Sequence, residues 1–390
     1  MARRRSVPSD DVPKVHAARH ALPRGIADRL LLDHSDSIRP GRALLVLVTG
    51  TALARHLALR RPEVEWSVFT PEHFYLTAVV NALSELPEGH PDHPQIQLFC
   101  TPDLPEGTWD TVVFPTDSKG SAELTRDLLQ AVCSSLAADG CLMISTNNAK
   151  DHWLHEHLKE LFGKITVHRD AQGICYVARK PKSLNKHKDF SCEFAFRDEE
   201  TLIPVFSRPG VFSHRRLDPG ARALVRSLNL LPADGIDGRP IQKIVEMGCG
   251  CGAVSTAAAL RYPQARVLAV DSHARAVQST ERTAELNHAD NVSVLLTADG
   301  DVPAPGSHDL FLCNPPYYSD YRISELFLQS ALDALRPGGR IHLVTKLTDW
   351  HENRMIEIFG NAEAHRFGEY DVIVSVTPSA KSWGRKHPRK

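Results

Sequence analysis

From Phe311 to Tyr318 the chain reads F-L-C-N-P-P-Y-Y: an apolar run that breaks into Asn-Pro-Pro-Tyr. Two consecutive prolines donate no backbone hydrogen bond and fix φ, so a sheet cannot continue through them. Asn314 brings a side-chain carbonyl that accepts from an –NH2 group. Pro315 and Pro316 free backbone carbonyls from the ladder and hold them rigid. Tyr317 adds a flat face. Together they describe a clamp for a planar group with an exocyclic amine, hence a nucleobase or an amide. Such an amine is a poor nucleophile because its lone pair is conjugated with the ring. Two acceptors, Asn314 Oδ1 and the Pro315 carbonyl, would hold both N–H groups and turn the lone pair outward. The plainer reading is a Pro-rich turn that caps a strand over a buried Tyr.

A second motif argues against that plainer reading. E-M-G-C-G-C-G places Gly248, Gly250 and Gly252 at alternating positions after an apolar run. Glycines there permit a tight turn and let a ligand approach backbone N–H groups at a helix start. Ala253 stands where a dinucleotide fingerprint prefers a third-spaced glycine, and some such sites accept Ala, so spacing alone leaves NAD open. The carboxylates around the loop narrow the choice. Glu246, two residues before the glycines, would repel a pyrophosphate and suits an ammonium or sulfonium. Asp271 ends the next apolar run, where a carboxylate accepts both ribose hydroxyls; as a plainer role it could cap the following helix. Asp299 ends the run after that, within reach of an adenine amino group. A ribose, an adenine and a cationic amino-acid tail describe S-adenosylmethionine.

These residues need a parallel sheet to bring them together. In the second half, apolar runs ending near Met247, Asp271, Asp299 and Asn314 alternate with helical periodicity, as at S-E-L-F-L-Q-S-A-L-D-A-L. R-P-G-G-R reads as a turn before a fifth strand, I-H-L-V-T-K. Such alternation predicts a doubly wound α/β sheet. The first half echoes the second. A-L-L-V-L-V-T-G-T, W-D-T-V-V-F-P-T-D and A-A-D-G-C-L-M-I-S-T parallel the later segments. Val46 and Val245, Asp110 and Asp309, Pro115 and Asn314, and Gly140 and Gly339 are each 199 residues apart. The first copy lacks the alternating glycines and the Asn-Pro-Pro step, so it is expected to have lost catalysis and to act as scaffold or substrate-binding module.

The expected domains are therefore a flexible N-terminal arm (1–25), a degenerate domain (26–180), a basic linker (181–195), a catalytic domain (196–378) and a basic tail (379–390). The stretch from Val177 carries Arg179, Lys180, Lys182, Lys186 and Lys188. It reads equally as a contact for RNA phosphates or as a solvated connection. The tail, with Trp383 among its charges, reads as an RNA-contacting or a disordered segment.

Composition sets outer limits. With 46 basic and 47 acidic residues, any nucleic-acid binding must come from local patches. Eight cysteines mostly lie in apolar runs, and Cys249-x-Cys251 lacks a second pair, so no metal and no disulfide framework are expected. That suits a reducing cytoplasm. No run is long enough to span a membrane.

With these motifs in place, a family resemblance emerges. G-C-G-C-G with Asp271 and N-P-P-Y resembles class I S-adenosylmethionine-dependent methyltransferases that act on amino nitrogens. P-G-V-F-S-H-R-R-L-D-P-G-A-R-A-L, from Pro209, resembles a segment of bacterial ribosomal RNA guanine-N2 methyltransferases of the small- and large-subunit kinds. Those enzymes have two tandem Rossmann-like class I methyltransferase domains, the N-terminal one degenerate. The resemblance implies that Phe212, Ser213 and Asp218 lie over the cofactor and target base, with Phe212 and Asp218 on the cofactor and Ser213 on the substrate. It assigns Asn314, Pro315 and Tyr317 to catalysis, and Asn314, Pro316 and Tyr317 to the base. Glu246 stands where the family usually has Asp, and Tyr317 where it often has Phe. The implied partner is 16S or 23S ribosomal RNA, free or in an assembling subunit, and the implied protein is a cytoplasmic monomer. Adenine N6 or a protein glutamine amide would also suit N-P-P-Y. A catalytically silent RNA-binding assembly factor is the rival from another class.

Overall fold

The computed structural model describes residues 25–50, 52–84, 96–184, 186–316 and 320–378. The N-terminal arm up to residue 24, Tyr317 and the basic tail from residue 379 lie outside the described residues. The first unit comprises α1 (Ile26–Asp33), β1 (Gly41–Val46), α2 (Ala52–Arg60), β2 (Val64–Phe69), α3 (His73–Ser84), β3 (Gln97–Phe99), β4 (Trp109–Thr116), α4 (Ala122–Ser135), β5 (Leu136–Thr146), α5 (Trp153–Leu161), β6 (Phe162–Arg169) and β7 (Ile174–Pro181). A hairpin of β8 (Cys192–Asp198) and β9 (Thr201–Ser207) follows. The second unit comprises α6 (Pro219–Ser227), β10 (Lys243–Met247), α7 (Ala253–Arg261), β11 (Arg266–Asp271), α8 (Ala274–Leu286), β12 (Val292–Leu296), β13 (His308–Cys313), α9 (Arg322–Ala334), β14 (Leu335–Thr345), α10 (Thr348–Phe359), β15 (Glu363–Phe367) and β16 (Tyr370–Val376).

Each unit builds one seven-stranded sheet, and the two orders are the same: β3-β2-β1-β4-β5-β7-β6 and β12-β11-β10-β13-β14-β16-β15. The first five strands of each order are parallel; β7 and β16 run against them, and the edge strands β6 and β15, antiparallel to β7 and β16, run with the five. The central parallel strands bury apolar residues on both faces because helices cover both. Successive side chains point to opposite faces, so Leu310 and Leu312 join one core layer while Phe311 and Cys313 join the other. Two tandem Rossmann-like domains are thus the fold, as the sequence repeat implies.

The repeat also needs two corrections. The 199-residue spacing holds for β4 with β13 and for β5 with β14, down to the same register break after Trp109 and after His308. It does not hold for Val46 and Val245. Leu44 pairs with Val112, and Val245 pairs with Phe311, the counterpart of Val112. Leu44, not Val46, is therefore the counterpart of Val245. The first copy carries a net two more residues before its fourth strand, so its first two strands lie 201 residues from theirs. In addition, R-P-G-G-R is no separate turn. It is a bulge inside β14, between the Leu335 and Arg340 pairings.

Some repeated residues are structural. Asp110 and Asp309 each accept from the backbone N–H at the start of the central strand, at 2.9 Å from Arg42 in one copy and from Lys243 in the other. Where the copies diverge, the backbone diverges too: β13 stops at Cys313, before Asn314. In the first copy β4 runs on through Pro115 to Thr116, whose hydroxyl donates to Ser145 O at 2.7 Å. The basic stretch from Val177 is also only partly a linker. Arg179 and Lys180 belong to β7, and Lys188 is pinned to Gln130 of α4 through both backbone groups, at 2.8 and 3.1 Å.

The two copies meet through a near-symmetric contact. His73 N–H donates to Ser272 O, and Ala274 N–H donates to Pro71 O, each at 2.7 Å. Pro71 and His73 are the counterparts of Ser272 and Ala274 at the 201-residue spacing. Equivalent turns thus face each other, as patches do across an isologous dimer interface. A buried ion network locks the contact. Arg275, 1% exposed, meets Asp127 at 2.7 Å and donates to the Pro102 and Pro209 carbonyls at 2.7 and 3.1 Å. Beside it, Arg208 binds Asp103 through two bonds of 2.6 and 2.9 Å.

Removing one partner of a buried pair strands the other charge. Asp127→Ala is expected to lower the unfolding free energy by about 2 kcal/mol, below the full penalty because Arg275 keeps its carbonyl partners. Urea denaturation of the full chain measures this; a change within error would mean Asp127 does not stabilise Arg275.

Candidate active site

The open crevice lies beyond the carboxyl ends of β10, β11, β12 and β13, the usual ligand position in such sheets. Parallel pairing sets Met247 against Cys313. The next residues on the two strands, Gly248 and Asn314, therefore leave the sheet side by side. This ladder joins the glycine loop to the Asn-Pro-Pro motif.

The loop needs its glycines. Gly248, Gly250 and Gly252 have φ of 80°, 56° and 77°, where side chains with a Cβ are strained. A Cβ on Gly252 would also lie 2.8 Å from Thr280 Cα, so α7 and α8 could not pack as they do. A Cβ on Gly250 would meet nothing within 4 Å. That open side, at the start of α7, is the space a ligand backbone contact requires.

Two carboxylates lie close to the loop. Asp271 accepts from Gly250 N–H and His273 N–H, each at 2.9 Å. Burial raises its pKa and these backbone donors oppose the rise. Each carboxylate oxygen keeps a lone pair for a ribose hydroxyl. Glu246, 4% exposed on β10, accepts from the Ser255 hydroxyl on α7. Burial pushes its carboxyl up to about 8, against the bonds from Ser255 and with the nearby Asp271 charge. Burial therefore favours the protonated form of Glu246 when no cation lies beside it. An ammonium placed there would favour the ionised form. Asp299 lies exposed beyond the end of β12. Cys249, Cys251 and Cys313 are buried, and burial raises all three thiols well above their usual range, so they are packing groups rather than nucleophiles.

On the other side, Asn314 donates from Nδ2 to Asp218 Oδ2 at 3.0 Å. Asp218 caps α6 by accepting from Ala221 N–H, also at 3.0 Å. The amide is thus oriented, and its Oδ1 is left as the acceptor. Asp218, expected over the cofactor, acts here as the residue that sets Asn314. Gly220 allows the approach: a Cβ there would lie 2.8 Å from the Asp218 carboxylate. Pro315 is buried and Pro316 half-buried.

Phe212 projects from the loop before α6 with 69% of its surface exposed. Ser213 and Arg215 flank it at φ of 54° and 83°, and the Ser213 hydroxyl donates to Arg216 O at 3.1 Å. The strained loop is anchored by a side chain of the first domain. Glu123 of α4 receives two bonds from Arg215, at 2.9 and 3.1 Å. Neither this anchor nor Ser255 carries a sequence signal, because each meets its partner only through folding. Tyr321, just before α9, stacks on Trp350 of α10 with ring centroids 4.1 Å apart.

The chain is similar to known methyltransferases. Residues 203–374 match the family described as Methyltransferase small domain. A ribosomal RNA small subunit methyltransferase C of Pseudomonas fluorescens is 31% identical over 252 residues, covering 62% of this chain and 71% of that protein. The Pseudomonas putida protein of the same name is 30% identical over 230 residues, covering 57% and 66%. The Pseudomonas entomophila one is 35% identical over 169 residues, covering 42% and 48%. The aligned part thus spans about half to two thirds of the length of the last two relatives. A solved T. thermophilus 16S rRNA guanine-N2 methyltransferase, in complex with AdoMet and guanosine, superposes with a TM-score of 0.73 at 20% identity, over 91% of this chain and 92% of that one. The fold is therefore shared along nearly the whole chain. Residues 203–374 thus carry the methyltransferase match on one of two copies of the same fold. The chain belongs to the ribosomal RNA small subunit methyltransferase C family.

Glu246 makes stability depend on pH. Its folded pKa lies above the unfolded value of 4.5, so the free protein should lose stability as pH rises through the value of about 8. Glu72, raised by burial to about 7, contributes with the same sign. Glu246→Gln should reduce the loss measured by urea unfolding between about pH 5 and about pH 8. An unaltered pH dependence would show that Glu246 is not a source of it.

Proposed function

We propose that the protein transfers the methyl group of S-adenosylmethionine to the exocyclic N2 of a guanine in small-subunit ribosomal RNA. The observation that carries this reading is Asn314. Its amide is oriented by Asp218 and its Oδ1 emerges one residue past the strand pairing that also delivers the glycine loop. The bound cofactor supplies an electrophilic methyl on a sulfonium. Asn314 Oδ1 and the Pro315 carbonyl hold the two N–H groups of the guanine amine and direct its lone pair at that methyl. The N–C bond forms as the S–C bond breaks, and the nitrogen then loses a proton to water. Orientation is the main contribution, and positioning of this kind supplies about 7–11 kcal/mol at best.

The residues present suit the cofactor. Gly250 leaves open space at the helix start, Asp271 retains acceptors for the ribose, and Glu246 answers the ammonium. Tyr317, outside the described residues, is assigned the stacking face for the base. A guanine in a helix would have to be unpaired and extruded at a cost of a few kcal/mol, so a loop is the cheaper target. Support for guanine-N2 chemistry also comes from the family and from the guanosine named in the T. thermophilus complex. On this reading the protein is a cytoplasmic monomer whose first domain helps to bind the RNA.

Asn314→Ala should leave S-adenosylmethionine affinity nearly unchanged and slow methyl transfer to small-subunit RNA by about 100-fold or more. Isothermal titration and transfer of labelled methyl, with the product nucleotide mapped, measure both. Full transfer activity in this variant would rule out the clamp.

A further inference from the structure

Three observations place part of the degenerate domain at the rim of the cofactor site. First, the turn at Pro71–His73 is bonded to the turn that follows Asp271. The bonds from His73 N–H to Ser272 O and from Ala274 N–H to Pro71 O are both 2.7 Å, with Glu72 bridged to His273. Second, the same turn reaches the neighbouring strand end. His73 Nδ1 accepts from Ala298 N–H at 3.2 Å, one residue before Asp299. One ring nitrogen that accepts leaves the proton on the other, so His73 keeps an Nε2–H donor at this rim. Third, the Glu72 carboxyl packs beside Ser272 and Asp271. One of its oxygens is buried without a hydrogen-bond partner among the described residues.

The end of β11 at Asp271 and the segment after β12 at Asp299 are where the ribose and adenine are expected. Both are therefore touched by one three-residue turn of the other domain. The contact is rigid. α8 starts at this turn, and its Arg275 is locked into the first domain by Asp127 and the Pro102 carbonyl.

We propose that the first domain completes the cofactor site: its Pro71–His73 turn walls the nucleoside end, and His73 donates from Nε2 to a ring nitrogen of the adenine. The proposal rests on the S-adenosylmethionine reading of the glycine loop. It assigns the degenerate copy a part in cofactor binding as well as the RNA-binding role of the preceding section. It also gives a physical use to the symmetric contact. The copy that lost its own nucleotide loop retains the equivalent turn and presents it to the working copy.

The test uses the full chain with two ligands, S-adenosylhomocysteine and 5′-methylthioadenosine, which share the nucleoside but differ in the amino-acid tail. His73→Ala should weaken both by about tenfold, the scale of one lost hydrogen bond. Glu246→Gln should weaken S-adenosylhomocysteine alone. His73→Asn can accept from Ala298 N–H but cannot replace Nε2. It should keep the thermal midpoint of the wild type and still bind both ligands weakly. Wild-type affinity in His73→Asn would reduce His73 to a structural bond and overturn its role as donor. As a check free of variants, hydrogen exchange of the wild type should slow at residues 70–76 when S-adenosylhomocysteine is added. Protection confined to the second domain would overturn the shared site. Absence of any S-adenosylhomocysteine binding by the wild type would instead defeat the methyltransferase reading, and this inference with it.

Discussion

The site depends on one ladder: the parallel pairing of β10 with β13, which ends at Met247 and Cys313. Parallel strands that finish at the same level release their chains into the same crevice. One released chain turns through glycines into α7. The other cannot pair further because two prolines follow Asn314. A shift of one residue in this register would exchange which side chains face each layer. The alternating burial of Leu310 to Cys313 makes that costly, since each residue fits a separate core layer. The hydrophobic core thereby fixes where the glycine loop and Asn314 meet.

Duplication of the fold supplies the second constraint. The copies do not sit as independent beads. Equivalent turns pair across a pseudo-two-fold contact, and a fully buried arginine holds it. Burying Arg275 is tolerable only because a carboxylate and two carbonyls compensate its charge. From α4 of the first domain, Glu123 reaches the strained loop bearing Phe212, while Asp127 reaches Arg275. One helix of the degenerate copy thus supports both the loop bearing Phe212 and the helix beside Asp271. Loss of catalytic motifs in that copy did not remove its mechanical role.

Much of this was legible in residue order. Glycines with positive φ, carboxylates at strand ends and a double proline are local requirements, so Gly248, Gly250, Gly252, Asp271 and Asn314 could be recognised singly. The repeat was legible for the same reason, since strand and turn residues recur where each copy demands them. Its exact alignment was not. A net two-residue difference in loop length is invisible to a pattern that matches Val46 with Val245, and only strand pairing shows Leu44 as the counterpart. The bond from Asn314 to Asp218 was not legible either, because the two residues are 96 positions apart.

By itself, then, the sequence determined the fold class and the duplication, because these rest on short-range rules of backbone conformation and on side-chain type. Tertiary structure alone decided what surrounds those groups. Burial, not residue type, raises Glu246 to about 8 and makes Arg275 a structural cation. Contacts across the domain interface bring Glu72 and His73 to Asp271 and Ala298. Such contacts join residues roughly 200 positions apart. No periodicity records them, because the solvent exclusion and hydrogen bonding that define them exist only once both copies have folded and docked.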